Sequence, residues 1–124
     1  MIEVLIAEDS PHILDGLLSL IQAQPDLNVV GTACDGLEAV EKASQLSPQV
    51  IVMDAQMPRL DGVEATRHIK REFPRIGILF FSVFTEYLEV SVAAGSDGYL
   101  TKDCLPTVLF AEIRRIAGTN EVTR

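Results

Sequence analysis

Five polar side chains in this sequence stand where an apolar, strand-like run gives way to a loop. Glu8 and Asp9 follow Ile2–Ala7, Asp54 follows Val50–Met53, Ser82 follows Ile76–Phe81, and Lys102 follows Gly98–Thr101. Three carboxylates brought together repel one another and raise each other's pKa unless a cation joins them. Mg2+ suits that task, because it is a hard octahedral ion that takes one or two carboxylates, keeps waters and shares a phosphate oxygen. The Lys102 ammonium can pair with one phosphoryl oxygen, and the Ser82 hydroxyl can donate to another. An aspartate is already ionised at neutral pH, so as a nucleophile it needs little activation. Together the groups suit transfer of a phosphoryl group onto Asp54, with metal and lysine neutralising the charge that moves.

Taken singly, each residue has an ordinary reading. Glu8-Asp9 reads as a solvated loop and helix cap, Asp54 as a turn residue, Lys102 as a surface lysine and Ser82 as a strand-end hydroxyl. The combination favours chemistry, since four successive strand ends each supply a needed group.

These groups meet only if the strands run parallel. After Ile2–Ala7, Ser10-Pro11 reads as N-cap and first helical position, with Ile13, Leu14, Leu17, Leu18 and Ile21 at helical spacing. Pro25-Asp26 ends that helix, and Asn28–Ala33 reads as a second strand. Asp35-Gly36 is a turn, followed by an apolar helical stripe of Leu37, Val40, Ala43 and Leu46 that Ser47-Pro48 closes. Val50–Met53 is continuously apolar, as expected of a strand covered on both faces. A loop over Ala55–Leu60 leads to a helix from Asp61-Gly62 to about Glu72. The strand Ile76–Phe81 and a helix from Glu86 to Ala94, stopped by Gly95, come next. The strand Gly98–Thr101 and a helix from Leu105 to Ala117, stopped by Gly118, complete the pattern. Five β–α units imply a parallel sheet with helices on both faces. Sites in such sheets lie beyond the carboxyl ends of the strands, where strand order reverses.

The 124 residues suit one domain with its own core, and a hydrophobic fraction of 48% gives no sign of disorder. Ten Lys and Arg against 18 Asp and Glu leave a net charge of −8, a surface that repels the phosphate backbone of nucleic acid. No apolar run approaches a membrane span, and Met1 leads directly into a strand with no basic-then-apolar leader. A cytoplasmic protein without membrane contact is expected. Cys34 and Cys104 are too few for a disulfide framework or zinc site, so two free thiols are expected.

The ordered set resembles the receiver domain of two-component response regulators. The resemblance rests on Glu8-Asp9-Ser10, Asp54 after Val-Ile-Val-Met, the loop Met57-Pro58-Arg59-Leu60-Asp61-Gly62, Ser82, and Ala94 through Asp103. It implies a flavodoxin-like (βα)5 fold with strand order 2-1-3-4-5, covering residues 1–118, and a tail or linker over 119–124. It implies that Asp54 accepts phosphate from a sensor histidine kinase. Asp9, Asp54 and the backbone carbonyl of Gln56 would hold Mg2+, with Glu8 acting mainly through water. Lys102 and Ser82 would contact the phosphoryl group, and Ser82 and Tyr99 would form a switch pair read out on the last two helices and last strand. The stretch Gly98–Asp103 further resembles the NarL/FixJ-type subfamily, whose members usually carry a C-terminal DNA-binding helix-turn-helix and can dimerise on phosphorylation. An enzyme with turnover is not expected.

Several residues depart from the family pattern. The segment from Ser82 to Lys102 is about two residues short, in the loop before the fourth helix. Val83 stands where a small residue is usual, Phe84 where many members have a polar one, and Asp103 where most have proline; Gln56 is an uncommon choice. Bulk at Val83 and Phe84 would screen an acyl phosphate from water. The short loop keeps open an alternative, a pseudo-receiver that signals without phosphate. An aspartyl-phosphate hydrolase would need a second acid where Gln56 stands, and an FMN carrier would not place Glu8-Asp9 beside a phosphate.

Overall fold

The computed structural model describes the backbone of residues 1–122 and the side chains of residues 1–119. Strands and helices alternate throughout: β1 (Ile2–Ala7), α1 (Pro11–Gln22), β2 (Leu27–Ala33), α2 (Gly36–Leu46), β3 (Val50–Met53), α3 (Gly62–Glu72), β4 (Gly77–Ser82), α4 (Leu88–Ala94), β5 (Gly98–Thr101) and α5 (Pro106–Val122). The strands form one parallel sheet in the order β2-β1-β3-β4-β5, the doubly wound arrangement expected from the alternation and the resemblance.

The two-residue period of the strands sorts the core. Leu5, Ala7, Ile51, Met53, Ile78 and Phe80 pack with residues of α2, α3 and α4. Val4, Ile6, Val50, Val52, Leu79 and Phe81 pack with α1 and α5 on the opposite face. All four residues of β3 are buried, which is why that strand reads as unbroken apolar sequence.

Four boundaries or faces differ from the sequence reading, each for a local reason. Leu37 is 48% exposed, because α2 turns the small residues Gly36, Ala39 and Ala43 to the core instead. β4 begins at Gly77 and includes Ser82, since Ser82 pairs with Thr101 of β5. α4 begins at Leu88, with Tyr87 as its N-cap residue, because a turn from Thr85 O to Leu88 N precedes it. Gly118 does not stop α5. A stop of that kind needs a left-handed residue, and among the described glycines only Gly95, at φ 108°, is one. A helical glycine costs about 1 kcal/mol against alanine; burial of Ile116 and Ala117 on one side and the Thr119 hydroxyl bond to Arg115 O on the other carry the helix through. Thr123 and Arg124 of the expected tail lie outside the described residues.

Two glycines fix the β3–α3 loop, and both do so by lacking a side chain. A Cβ on Gly62 would lie 2.0 Å from the carbonyl oxygen of Asp54, and one on Gly36 would lie 1.9 Å from that of Leu60. The loop is therefore pressed onto the first turns of α3 and α2. Gly62 N also donates to Ala55 O at 2.9 Å. Arg59 holds a left-handed φ of 67°, and its guanidinium grips Asp35, the N-cap residue of α2, at 2.7 Å. Replacing Gly62 by alanine is expected to lower stability by about 1–3 kcal/mol through forced overpacking. Gly16→Ala, at an open helical position, is expected to raise it by about 0.5–1 kcal/mol. Denaturant melts of the two variants measured side by side check both signs.

Candidate functional site

Three of the five residues singled out in the sequence hang from the last rung of a parallel ladder. Glu8 N donates to Ala33 O of β2, Asp54 N to Ala7 O of β1, and Lys102 N to Ser82 O of β4, at 2.8–2.9 Å. Each backbone bond extends the sheet by one residue and thereby fixes where its side chain starts. The five side chains do converge. Glu8, Asp9, Asp54, Ser82 and Lys102 line one cleft of about 630 Å³ at the carboxyl edge of the sheet, with Gln56, Met57, Val83, Phe84 and Tyr87 among its other walls.

Within the cleft the charges are unevenly satisfied. The Lys102 ammonium lies 2.7 Å from Glu8 Oε1 and 3.5 Å from Asp54 Oδ1. Glu8 is almost fully buried, and its second oxygen accepts from Ser10 N at 3.1 Å. Asp54 is buried as well, with a long contact of 3.4 Å from Gln56 N. Asp9 faces solvent. Burial and then the charge of Glu8 push the Asp54 carboxyl up from 3.8 to about 7, against the pull of Lys102. One carboxylate oxygen from each of Glu8, Asp9 and Asp54 lies within 4.8 Å of the others. An all-oxygen, multiply anionic donor set with one open side fits a hard divalent ion such as Mg2+. Glu8, with one oxygen on Lys102 and the other on a backbone N–H, has the least left to offer directly.

The last two residues of the expected switch meet at a third. Ser82 Oγ accepts from Phe84 N at 3.2 Å, and the Tyr99 hydroxyl donates to Phe84 O. The Tyr99 ring stacks on Phe80, with centroids 6.0 Å apart and planes 13° from parallel. The backbone of Phe84 is thus held at both its N–H and its carbonyl. The Gln56 side-chain amide donates to the Tyr87 hydroxyl. Sequence reasoning missed Tyr87, Gly36, Gly62 and the Phe84 backbone. The glycines carried a visible signal in Asp35-Gly36 and Asp61-Gly62, whereas Tyr87 carried none.

A doubly wound parallel sheet with an acidic cluster and one lysine at its switch-point edge defines a flavodoxin-like module built for a cation and an anionic group. The chain belongs to the response regulator receiver domain family, which matches residues 4–114. The transcriptional regulatory protein YxjL of Bacillus subtilis, itself described as uncharacterized, is 39% identical over 125 residues, covering 99% of this chain and 57% of the relative. The response regulator protein VraR of Staphylococcus aureus is 41% identical over 103 residues, covering 82% of this chain and 49% of its own length. The solved response regulator domain of Thermotoga maritima CheB superposes with a TM-score of 0.90 at 36% identity, covering 95% of this chain and 97% of that one. A LuxR-family response regulator from Aurantimonas gives 0.90 at 31%, covering 94% and 85%. The chain spans about half the length of these two curated relatives. Among the described residues no helix is long and apolar enough to cross a membrane.

The raised Asp54 pKa ties the stability of the fold to pH. The folded state holds its proton more tightly than the unfolded chain, so stability falls as pH rises from about 4 to about 7 and the penalty is complete above that. Asp54→Asn removes the penalty. Without divalent cation the variant is expected to be more stable than the parent at pH 8 by about 1–2 kcal/mol, after allowance for solvent screening at the cleft mouth. The gap is expected to close by pH 4 and to shrink on adding Mg2+. Denaturant melts across that range measure it, and a gap independent of pH would contradict this account.

Proposed function

We propose that this domain takes a phosphoryl group onto Asp54 from the phosphohistidine of a sensor histidine kinase and passes the event to an output as a change of shape. The observation that carries the proposal is the placement of a buried Asp54 carboxylate 3.5 Å from the Lys102 ammonium and beside Glu8 and Asp9. An Asp54 oxygen attacks phosphorus; the nitrogen–phosphorus bond breaks, and its electron pair stays on the donor imidazole. Asp9, Asp54 and the carbonyl of Gln56 would hold Mg2+, with Glu8 acting through water. The ion, when bound, offsets the negative charge on the transferring group. Lys102 stabilises one phosphoryl oxygen and leaves part of its bond to Glu8 to do so. Ser82 donates its hydroxyl to another.

The switch follows from the clasp at Phe84. A Ser82 hydroxyl drawn to the phosphoryl group gives up the Phe84 N–H, while Tyr99 keeps hold of the carbonyl of the same residue. The new charge biases a two-state equilibrium of that loop, α4 and β5. The name of one relative, a transcriptional regulatory protein, favours a DNA-binding output beyond α5, and a cytoplasmic home fits the receiver family. Homodimerisation on phosphorylation fits the same reading. The acidic receiver itself makes no contact with DNA, and its own chemistry is limited to taking and losing one phosphoryl group. No specific observation favours the phosphate-independent alternative.

Incubation with a small phosphodonor and Mg2+, followed by intact mass, is expected to show one added phosphoryl group on the parent chain. Asp54→Asn and chelator-treated samples are expected to show none. An unmodified parent chain would overturn the proposal. Val83 and Phe84 at the cleft wall lead us to expect a phosphoryl state that outlasts removal of donor by many minutes in Mg2+. Loss within seconds would contradict that expectation.

A further inference from the structure

Tyr87 stands outside every role assigned above. It precedes α4, its ring packs against the core cluster on the α2–α3 side, and its hydroxyl receives the side-chain amide of Gln56. Gln56 lies two residues beyond Asp54, and Gln56 and Tyr87 both line the cleft. The bond therefore spans from the β3–α3 loop to the β4–α4 segment. The β3–α3 end is anchored by Gly62 against Asp54 O, and the other end by the bond from Ser91 N to Tyr87 O at 2.9 Å.

We propose that Tyr87 is a positioning residue for the lifetime of the phosphoryl group, acting through Gln56; the proposal rests on the phosphoacceptor reading above. Hydrolysis of an aspartyl phosphate requires a water oxygen to attack phosphorus in line with the bond to Asp54. That bond breaks, its electron pair returns to the Asp54 carboxylate, and the protons of the water leave with inorganic phosphate and solvent. A carboxamide free to swing over the cleft offers such a water an acceptor and the phosphoryl oxygens a donor. The Tyr87 hydroxyl accepts one N–H of the Gln56 amide and so ties the group to the cleft wall. The strap withholds from water the polar side chain best placed to orient it. It adds to the apolar screen of Val83 and Phe84.

The test is the decay of phosphorylated protein after donor removal, in four forms: parent, Tyr87→Phe, Gln56→Ala and the double variant. Decay is read from the loaded fraction alone, so it does not depend on how completely each form loads. Tyr87→Phe keeps the ring and removes only the hydroxyl. It is expected to speed decay about three- to tenfold, the range of one hydrogen bond. In the Gln56→Ala background the same change is expected to do nothing, because the group it frees is gone. A purely structural role for Tyr87 would change the rate equally in both backgrounds and would overturn the proposal. Unchanged or slower decay in the single variant would also overturn it. A parent chain that takes no phosphate would instead bring down the phosphoacceptor reading and this inference with it.

Discussion

One ammonium group holds together a cleft that electrostatics would otherwise open. Among the described residues Lys102 is the one cation lining the cleft, and it reaches both buried members of the acidic cluster, Glu8 and Asp54. It does not balance them. Burial and the neighbouring Glu8 charge still push Asp54 upward, so the site is short of positive charge. A cleft of this kind is a standing demand for a cation, and the rest of the structure keeps the demand from being relieved by collapse or by spreading apart. The ladder bonds to Ala33, Ala7 and Ser82 fix the backbone beneath three of the groups. Gly36 and Gly62 let the β3–α3 loop sit so close that it has no room to draw back.

Much of this was legible in the sequence, because it depends on strand order and strand ends. β3 announced itself by four consecutive apolar residues, and a strand buried on both faces leaves no other pattern. The site residues were legible because each directly follows or ends a strand. Helix ends and faces were read less well. Leu37 has the right spacing for a buried stripe, but which face of α2 is buried is decided by the small residues that admit its neighbours. Gly118 has the right identity for a stop, yet the packing of α5 on β4 overrides a cost of about 1 kcal/mol.

What sequence could not show is contact between distant segments. Gln56 and Tyr87 are 31 positions apart and meet only because two loops flank one cleft. The double grip of Ser82 and Tyr99 on the Phe84 backbone is likewise a property of the loop's path. Amphipathic period and turn chemistry report what a segment prefers locally. They carry no information about which hydroxyl will find which carbonyl across a gap.

The register of β5 against β4 has a consequence for how such a chain tolerates insertion and deletion. Leu79 to Ser82 pair with Gly98 to Thr101 in strict succession, and Lys102 follows on the next rung. Residues gained or lost between Ser82 and Gly98 change the length of a detour through α4 and leave the pairing intact. The pairing brings Lys102 to Glu8 whatever the length of that detour. A single residue lost between Tyr99 and Lys102 would either turn Tyr99 to the other face of the sheet or carry the ammonium off its rung at the rim. Length is therefore free to drift on one side of Gly98 and held fixed on the other.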